Sequence, residues 1–311
     1  MDWLGVTKRD PVPWLLDPAN PSARLLTLRH IFHRPEAELE QERQAVLAWD
    51  PICALIKRAA PQGLWGRADN PYFGGPLGTF GTLSTLAQLG VPRFPLAEAA
   101  CENLLGQGRL DDGRFAPREE GPLTWLCYTG MTLQALCHFG FGEDLRTRSS
   151  SQALAHIVLH EPQLLTCKIA GGMCMSGTLK ALIGLLSTPI EQRTTEETAA
   201  IGTLTEQILA YPFDFTARER GWLQLHFPRY YESDLVELCR VLVCTASLDL
   251  PQASSLLQHL IALQTEEGRW IKSGNAPGNI QVEGKGKPSR WLTFEAIHTL
   301  MQVYGGNAYA S

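Results

Sequence analysis

Apolar residues recur along the chain at helical spacing, and one phrase carrying them is repeated. It reads Thr82-Leu83-Ser84-Thr85-Leu86, Thr132-Leu133-Gln134-Ala135-Leu136 and Thr178-Leu179-Lys180-Ala181-Leu182, with looser copies at Asp234-Leu235-Val236-Glu237-Leu238 and Thr293-Phe294-Glu295-Ala296-Ile297. The copies start 50, 46, 56 and 59 residues apart, a period that predicts an array of like supersecondary units. Apolar residues at i and i+3 put each copy on one face of a helix. A second phrase sits upstream of some copies: Gly63-Leu64-Trp65, Gly113-Arg114-Phe115 and Gln264-x3-Gly268-Arg269-Trp270. The unit therefore reads helix, Gly-x-aromatic turn, loop, helix. The glycine accepts the left-handed backbone that ends a helix, and the aromatic packs across the helix ends.

Read in order, residues 1–20 are extended and proline-rich, with Trp14-Leu15-Leu16 as an anchor. Helices are predicted over about 20–32 and 35–49, the first opened by Asn20 or Ser22. Outer helices are expected at 51–60, 96–106, 149–160, 194–210 and 252–264, and inner ones at 77–90, 124–139, 173–187, 231–247 and 290–304. No segment alternates as a strand would. The expectation is a single all-α domain over 1–311: an N-terminal extension and first helix pair over 1–49, then five helix-turn-helix repeats over 50–311. Twelve helices in six pairs can close into a double ring, an (α/α)6 toroid with a central cavity, and closure removes the exposed ends of an open solenoid.

Composition narrows the function classes. A net charge of −5 over 311 residues, with no dense basic stretch, excludes a nucleic-acid surface. No apolar run has membrane-spanning length, which leaves peripheral membrane contact open. The start, Met-Asp-Trp-Leu-Gly-Val-Thr-Lys, has no charged-then-apolar leader, and the eight cysteines show no CxxC pair. Both point to reduced thiols and a cytoplasmic location.

Several residues invite chemistry. Cys127-Tyr128-Thr129-Gly130 and Cys174-Met175-Ser176-Gly177 are parallel starts of consecutive inner helices, and Asp234 opens the next. Two thiolates and a carboxylate make a zinc set, with water or His226 as fourth ligand. The plainer alternative is two small buried cysteines and an aspartate capping its helix. His156-x3-His160 shares one face of an outer helix and reads as a solvated pair. The loop Glu283–Arg290 is basic and leads into a helix N-terminus, where Arg290 and Lys287 could meet a diphosphate; a mobile surface loop is the alternative. Phe80, Trp125, Tyr128, Trp222, Phe227, Tyr230, Tyr231 and Trp291 converge near the same helix ends. Tyr231 and Trp291 adjoin Asp234 and Arg290, which makes them the foremost cavity candidates. Cys53, Cys101, Cys137, Cys167, Cys239 and Cys244 read as structural.

The run Gln264-x3-Gly268-x-Trp270 resembles the QW motif of terpene cyclases, with 63–65 and 113–115 as degenerate copies. The resemblance extends to Trp14-Leu15-Leu16-Asp17, Pro21-Ser22-Ala23-Arg24, Thr27-Leu28-Arg29, Cys174-x-x-Gly177-Thr178-Leu179-Lys180-Ala181-Leu182, Phe227-Pro228-Arg229-Tyr230-Tyr231-x-x-Asp234 and Lys287-Pro288-Ser289-Arg290-Trp291. Together these are similar to the prenyltransferase and squalene oxidase repeat family, and more narrowly to bacterial single-toroid proteins labelled squalene cyclase-like. The resemblance implies an (α/α)6 toroid that binds, and transforms by cyclisation or prenyl transfer, an apolar isoprenoid-like molecule. Asp234 would then be acid or ligand, and Tyr231, Trp291, Arg290, Tyr128 and Phe227 would line the substrate. The family's acid motif Asp-x-Asp-Asp is absent, since Asp111-Asp112 runs into Gly113-Arg114; the magnesium motif and the Asp-x-Cys zinc motif are absent too. Two alternatives follow: a toroid that binds a ligand or acts as a scaffold without catalysis, and a zinc-dependent enzyme acting on a peptide or thiol.

Overall fold

The computed structural model describes residues 2–60, 64–117, 126–161, 166–167, 172–213, 215, 221–245, 251–275 and 282–305. Among these the chain is helical, with one short pair of strands. The helices are α1 (Val12–Leu15), α2 (Pro21–His30), α3 (Glu40–Leu47), α4 (Asp50–Lys57), α5 (Thr79–Gln88), α6 (Pro95–Asn103), α7 (Leu126–His138), α8 (Leu145–His160), α9 (Met175–Leu186), α10 (Thr195–Leu209), α11 (Leu235–Cys244), α12 (Pro251–Ala262) and α13 (Arg290–Tyr304). Every helix expected from periodicity is present. Three local details differ. The N-terminal stretch forms a 3-10 turn at Trp3–Val6 and then α1; α6 ends in a π-helical turn, Leu104–Gly108; and Thr166–Cys167 pairs antiparallel with Gly172–Met173 as β1 and β2. Among the described residues no helix is long and apolar enough to cross a membrane.

Side-chain caps set the helix starts. Asn20, Asp144, Thr194, Asp234 and Ser289 each accept a backbone N–H from the first turn that follows. At α10 the cap is reciprocal: Thr194 Oγ1 takes the Glu197 N–H at 3.1 Å, and Glu197 Oε2 takes the Thr194 N–H at 2.8 Å. Such caps contribute about 1 kcal/mol each.

The residues that flank the Gly-x-aromatic turn make the same contacts in all three copies. The N–H of Ala60, Leu110 and Thr265 reaches the carbonyl four residues on, at Leu64, Arg114 and Arg269, each at 2.8 Å. Gly113 and Gly268 sit at positive φ in that loop, as their residue type permits. The aromatic that follows is held by a threonine at the start of the next helix. Thr79, Thr129 and Thr293 accept the N–H of Trp65, Phe115 and Trp270 at 3.2, 3.1 and 3.1 Å. Both tryptophans also donate Nε1–H back to the preceding helix, Trp65 to Leu55 O at 2.7 Å and Trp270 to Leu260 O at 2.9 Å. The ring thus caps the end of one helix while its backbone is tied to the start of the next. In the first two copies the anchoring threonine is three residues before the repeated phrase, one turn earlier on the same face.

The chain packs as two compact units, 1–54 with 88–92 and 213–311, and 55–87 with 93–212. In the second unit the phrase-bearing helices α7 and α9 pack on each other, as do the intervening helices α8 and α10. Helix α9 is buried on nearly every side, whereas α8 and α10 keep a solvated face. The α7–α9 contact is backbone on backbone. A methyl group on Gly130 would lie 2.0 Å from Lys180 O, and one on Gly184 would lie 2.5 Å from Gly130 Cα. The glycine of the first CxxG phrase is therefore a packing residue.

In the first unit α11 packs on α13, and α13 on α2. Gln264 of the QW-like run holds the N-terminal segment, accepting Lys8 N–H at 3.0 Å and donating to Val6 O at 3.1 Å. Gly268 leaves room for the Arg9 backbone, 2.0 Å from where a methyl would stand. Trp14 anchors as expected, with the guanidinium groups of Arg269 and Arg290 at 4.2 and 4.6 Å from its ring centroid. Between α2 and α13, His30 and His298 lie with ring centroids 5.4 Å apart, and both rings also meet Phe294. Burial pushes both imidazoles from 6.5 down to about 4. Between those values the unfolded chain binds more protons than the folded one, so this stability is present above about pH 6.5 and is lost as pH falls through the window. The expected loss from pH 7 to 4 is about 3 kcal/mol per histidine, up to about 6 kcal/mol for the two. Urea midpoints measured at both pH values check it, and His298→Leu should shrink the drop.

Candidate functional site

The loop from Leu225 to Asp234 in the first unit is fixed at nearly every step. Leu225 N–H donates to Ser273 Oγ at 2.8 Å, and Leu225 O accepts from Ser273 and Gly274 at 3.1 and 2.8 Å. The His226 N–H donates to Asp234 Oδ2 at 2.8 Å. Phe227 lies flat on Trp291, with centroids 4.9 Å apart and planes 9° from parallel, and the Phe227–Pro228 peptide is cis. Gln88 grips the Arg229 backbone with its amide, accepting N–H and donating to C=O at 2.7 Å each.

Asp234 is the hub of this arrangement. It is fully buried, and its two oxygens have distinct partners. Oδ1 accepts Arg229 Nη2 and the Glu237 N–H, both at 2.9 Å, so the same atom caps α11 and pairs an ion; Oδ2 holds His226 N–H. Arg229, also buried, sends Nη1 to Glu295 Oε2 at 2.8 Å. The two carboxylates hold its charge in place and push its pKa up against the cost of burial.

What this frame presents is a cavity of about 400 Å³, within the range of small-molecule sites, walled by Gln224, His226, Arg229, Tyr230, Tyr231 and Glu232. The His226 ring is buried against Gly274, where a methyl would come within 2.0 Å of its Cδ2. Nε2 lies 3.2 Å from Glu232 Oε2, while Nδ1 is buried and meets no hydrogen-bond partner among the described residues. Burial lowers the imidazole pKa, and the charges of Asp234 and Glu232 offset it in part, so His226 is neutral at neutral pH. Tyr231 Oη donates to Tyr230 Oη at 2.9 Å, with ring centroids 4.0 Å apart. The wall thus combines a neutral imidazole paired with a carboxylate, two phenols and aromatic faces.

The structure places the other expected site residues as follows. Trp291 is wholly buried and donates Nε1–H to Ser22 Oγ at 3.0 Å. Arg290 pairs with Asp17 Oδ2 at 2.6 Å, and its backbone N–H meets Glu283 Oε1 at 2.7 Å, so it braces the loop. Lys287 is exposed. Tyr128, in the second unit, is buried against Phe80 and Tyr72, at centroid distances of 4.8 and 5.1 Å. Trp222 meets Phe213 edge-on at 4.9 Å. Trp125 and Gly63 lie outside the described residues.

Cys127 and Cys174 do come together in the second unit, along with a third cysteine. Cys174 caps α9, its Sγ accepting the Gly177 N–H at 3.4 Å. Its thiol is hydrogen-bonded to that of Cys167, which β1 and β2 bring beside it. Burial pushes Cys127 up to about 12, and the neighbouring Cys174 and Cys167 add to the shift. Burial raises Cys174 as well, so Cys127 and Cys174 are neutral thiols. Cys167 reads as structural in the sequence; Gly171-Gly172, a turn signal, is what could have placed it in a hairpin. No local signal in the sequence marks Arg229, Glu232 or Gln88 as site residues.

No protein-family model matches the chain, and neither does any curated protein. Among solved structures it is similar to a type II terpene cyclase from Scytonema in complex with merosterolic acid A as product, at 12% identity and a TM-score of 0.32, covering 87% of this chain and 99% of that one.

Proposed function

We propose that this chain is a helical repeat protein of the terpenoid cyclase-like kind, twelve helices closing as an (α/α)6 toroid, that binds the polar end of an apolar isoprenoid-like molecule beside His226 and Tyr231. The observation that carries the proposal is the clamped loop Leu225–Asp234: a rigid frame that presents polar groups and aromatic faces to a cavity of about 400 Å³. The contacts repeated around the turn and the packing of phrase-bearing helices on one another support the repeat architecture. A hydroxyl-bearing or carbonyl-bearing head would meet Tyr231 and His226, and the chain behind it would pack on aromatic faces.

If chemistry follows binding, His226 is the group that moves the proton, with Glu232 orienting its ring. Asp234 then acts as a positioning residue, because its oxygens already hold Arg229, the loop and the helix N-terminus. That engagement, with the missing Asp-x-Asp-Asp motif, favours binding without turnover as the second reading. The test is equilibrium binding of farnesol against an unbranched alcohol of equal carbon number. Farnesol should bind more tightly, and Tyr231→Ala should weaken it by about tenfold, equivalent to about 1.4 kcal/mol. Equal, weak binding of both alcohols by protein and variant would remove the proposal. Product formation with the wild-type protein, lost in His226→Gln, would decide between the two readings.

A further inference from the structure

In the second unit, away from the cysteines, three metal-ligating side chains meet across two helices. His156 and His160 lie one turn apart on α8, with ring centroids 4.7 Å apart. Glu196, in the first turn of α10, sets one carboxylate oxygen between them. Oε1 is 3.3 Å from His156 Nδ1 and 3.0 Å from His160 Nε2, and all three atoms lie within 4.8 Å of one another. From sequence the histidines read as a solvated pair on an outer helix, with Ile157 and not Glu after the first; Glu196 is distant along the chain, and only packing delivers it.

We infer that His156, His160 and Glu196 form a binding site for a divalent ion of the zinc class. Tetrahedral zinc with ligands at about 2.0–2.1 Å sets neighbouring ligand atoms about 3.3 Å apart. Two of the three edges already have nearly that length. Two imidazoles and one carboxylate, with a fourth position left for water, form an established donor set for zinc. The side chains are about half exposed, so the third edge closes by small rotations in side chains that remain in water.

The two helices are also held in register where it matters. The residue after Glu196, Glu197, is fully buried and accepts hydrogen bonds from Arg148 and Ser151 of α8. Its carboxylate closes the capping box on Thr194 as well. The first turn of α10 is thereby fixed on α8, and Glu196 with it. A bound ion would brace α8 against α10 from the solvent side.

The test uses the full chain, purified without metal affinity and stripped with chelator, and titrated with Zn²⁺ alone. One ion should bind per chain, and the unfolding midpoint should rise by several degrees at saturating Zn²⁺. His160→Ala and Glu196→Gln should each weaken binding by more than about tenfold. Both are surface changes, and circular dichroism of the metal-free variants confirms that they fold. Co²⁺ in place of Zn²⁺ separates this site from the cysteines, because thiolate ligation adds an intense near-ultraviolet band. Ligand-field bands without that band are expected. Affinity that survives both substitutions, or a thiolate band at the first equivalent, would overturn the inference.

Discussion

Asp234→Ala should destabilise the protein by about 3–5 kcal/mol and, on the proposed reading, abolish farnesol binding. Arg229 is buried, and the substitution leaves its guanidinium with Glu295 as the remaining charged partner. The Glu237 N–H at the start of α11 and the His226 N–H lose their acceptor in the same step. Each buried donor left unsatisfied costs about 1–3 kcal/mol, so the sum reaches the upper part of that range even with partial relaxation. Asp234→Asn should fall between, since it keeps an oxygen for the cap but loses the charge that Arg229 faces. Adding Arg229→Met to Asp234→Ala should recover part of the loss, because it removes the stranded cation. Urea unfolding of wild type, Asp234→Ala, Arg229→Met and the double variant measures the coupling, with Asp234→Asn measured beside them. If Asp234→Ala lies within about 0.5 kcal/mol of wild type, Asp234 is not the hub.

Gly130→Ala should cost about 3 kcal/mol, opposite in sign to the usual effect of that change in a helix. The added methyl would stand 2.0 Å from Lys180 O and 2.4 Å from its carbon. The obstacle is backbone, which cannot rotate away, so α7 and α9 must separate. Gly202, exposed on α10 with nothing within 4 Å of its missing methyl, supplies the control. Gly202→Ala should stabilise by about 0.5–1 kcal/mol. Thermal midpoints of the two variants should move in opposite directions. A neutral or stabilising Gly130→Ala would show that the helices do not touch there.

Local signals along the chain foretold the helices well, because each one is set by apolar period, caps and turn glycines within a dozen residues. The Gly-x-aromatic turn was legible for the same reason. The threonine that holds the aromatic has no local mark, since threonines at i and i+3, such as Thr79 and Thr82, share a face and both are buried. The candidate site was legible only in pieces. Tyr231, His226 and Asp234 were picked out, and the capping role weighed for Asp234 is the one its geometry fills. Arg229, Glu232 and Gln88 gain their meaning from contacts made only after folding; Gln88 is far from Arg229 in sequence and has no local mark. Cys167 and Glu196 escaped for the same reason. Trp291 and Arg290 have strong side-chain chemistry, but it is spent on Ser22, Asp17 and Trp14.

The proposal of an isoprenoid-like ligand held by the clamped loop is tested most directly by finding where such a ligand sits. A diazirine-bearing farnesol analogue, photolysed on the full-length protein and mapped by peptide mass spectrometry, should label the stretch from Gln224 to Glu232. Excess farnesol should suppress that label, and Tyr231→Ala should reduce it. Labelling that is confined to other segments, or that farnesol does not compete, would contradict the account.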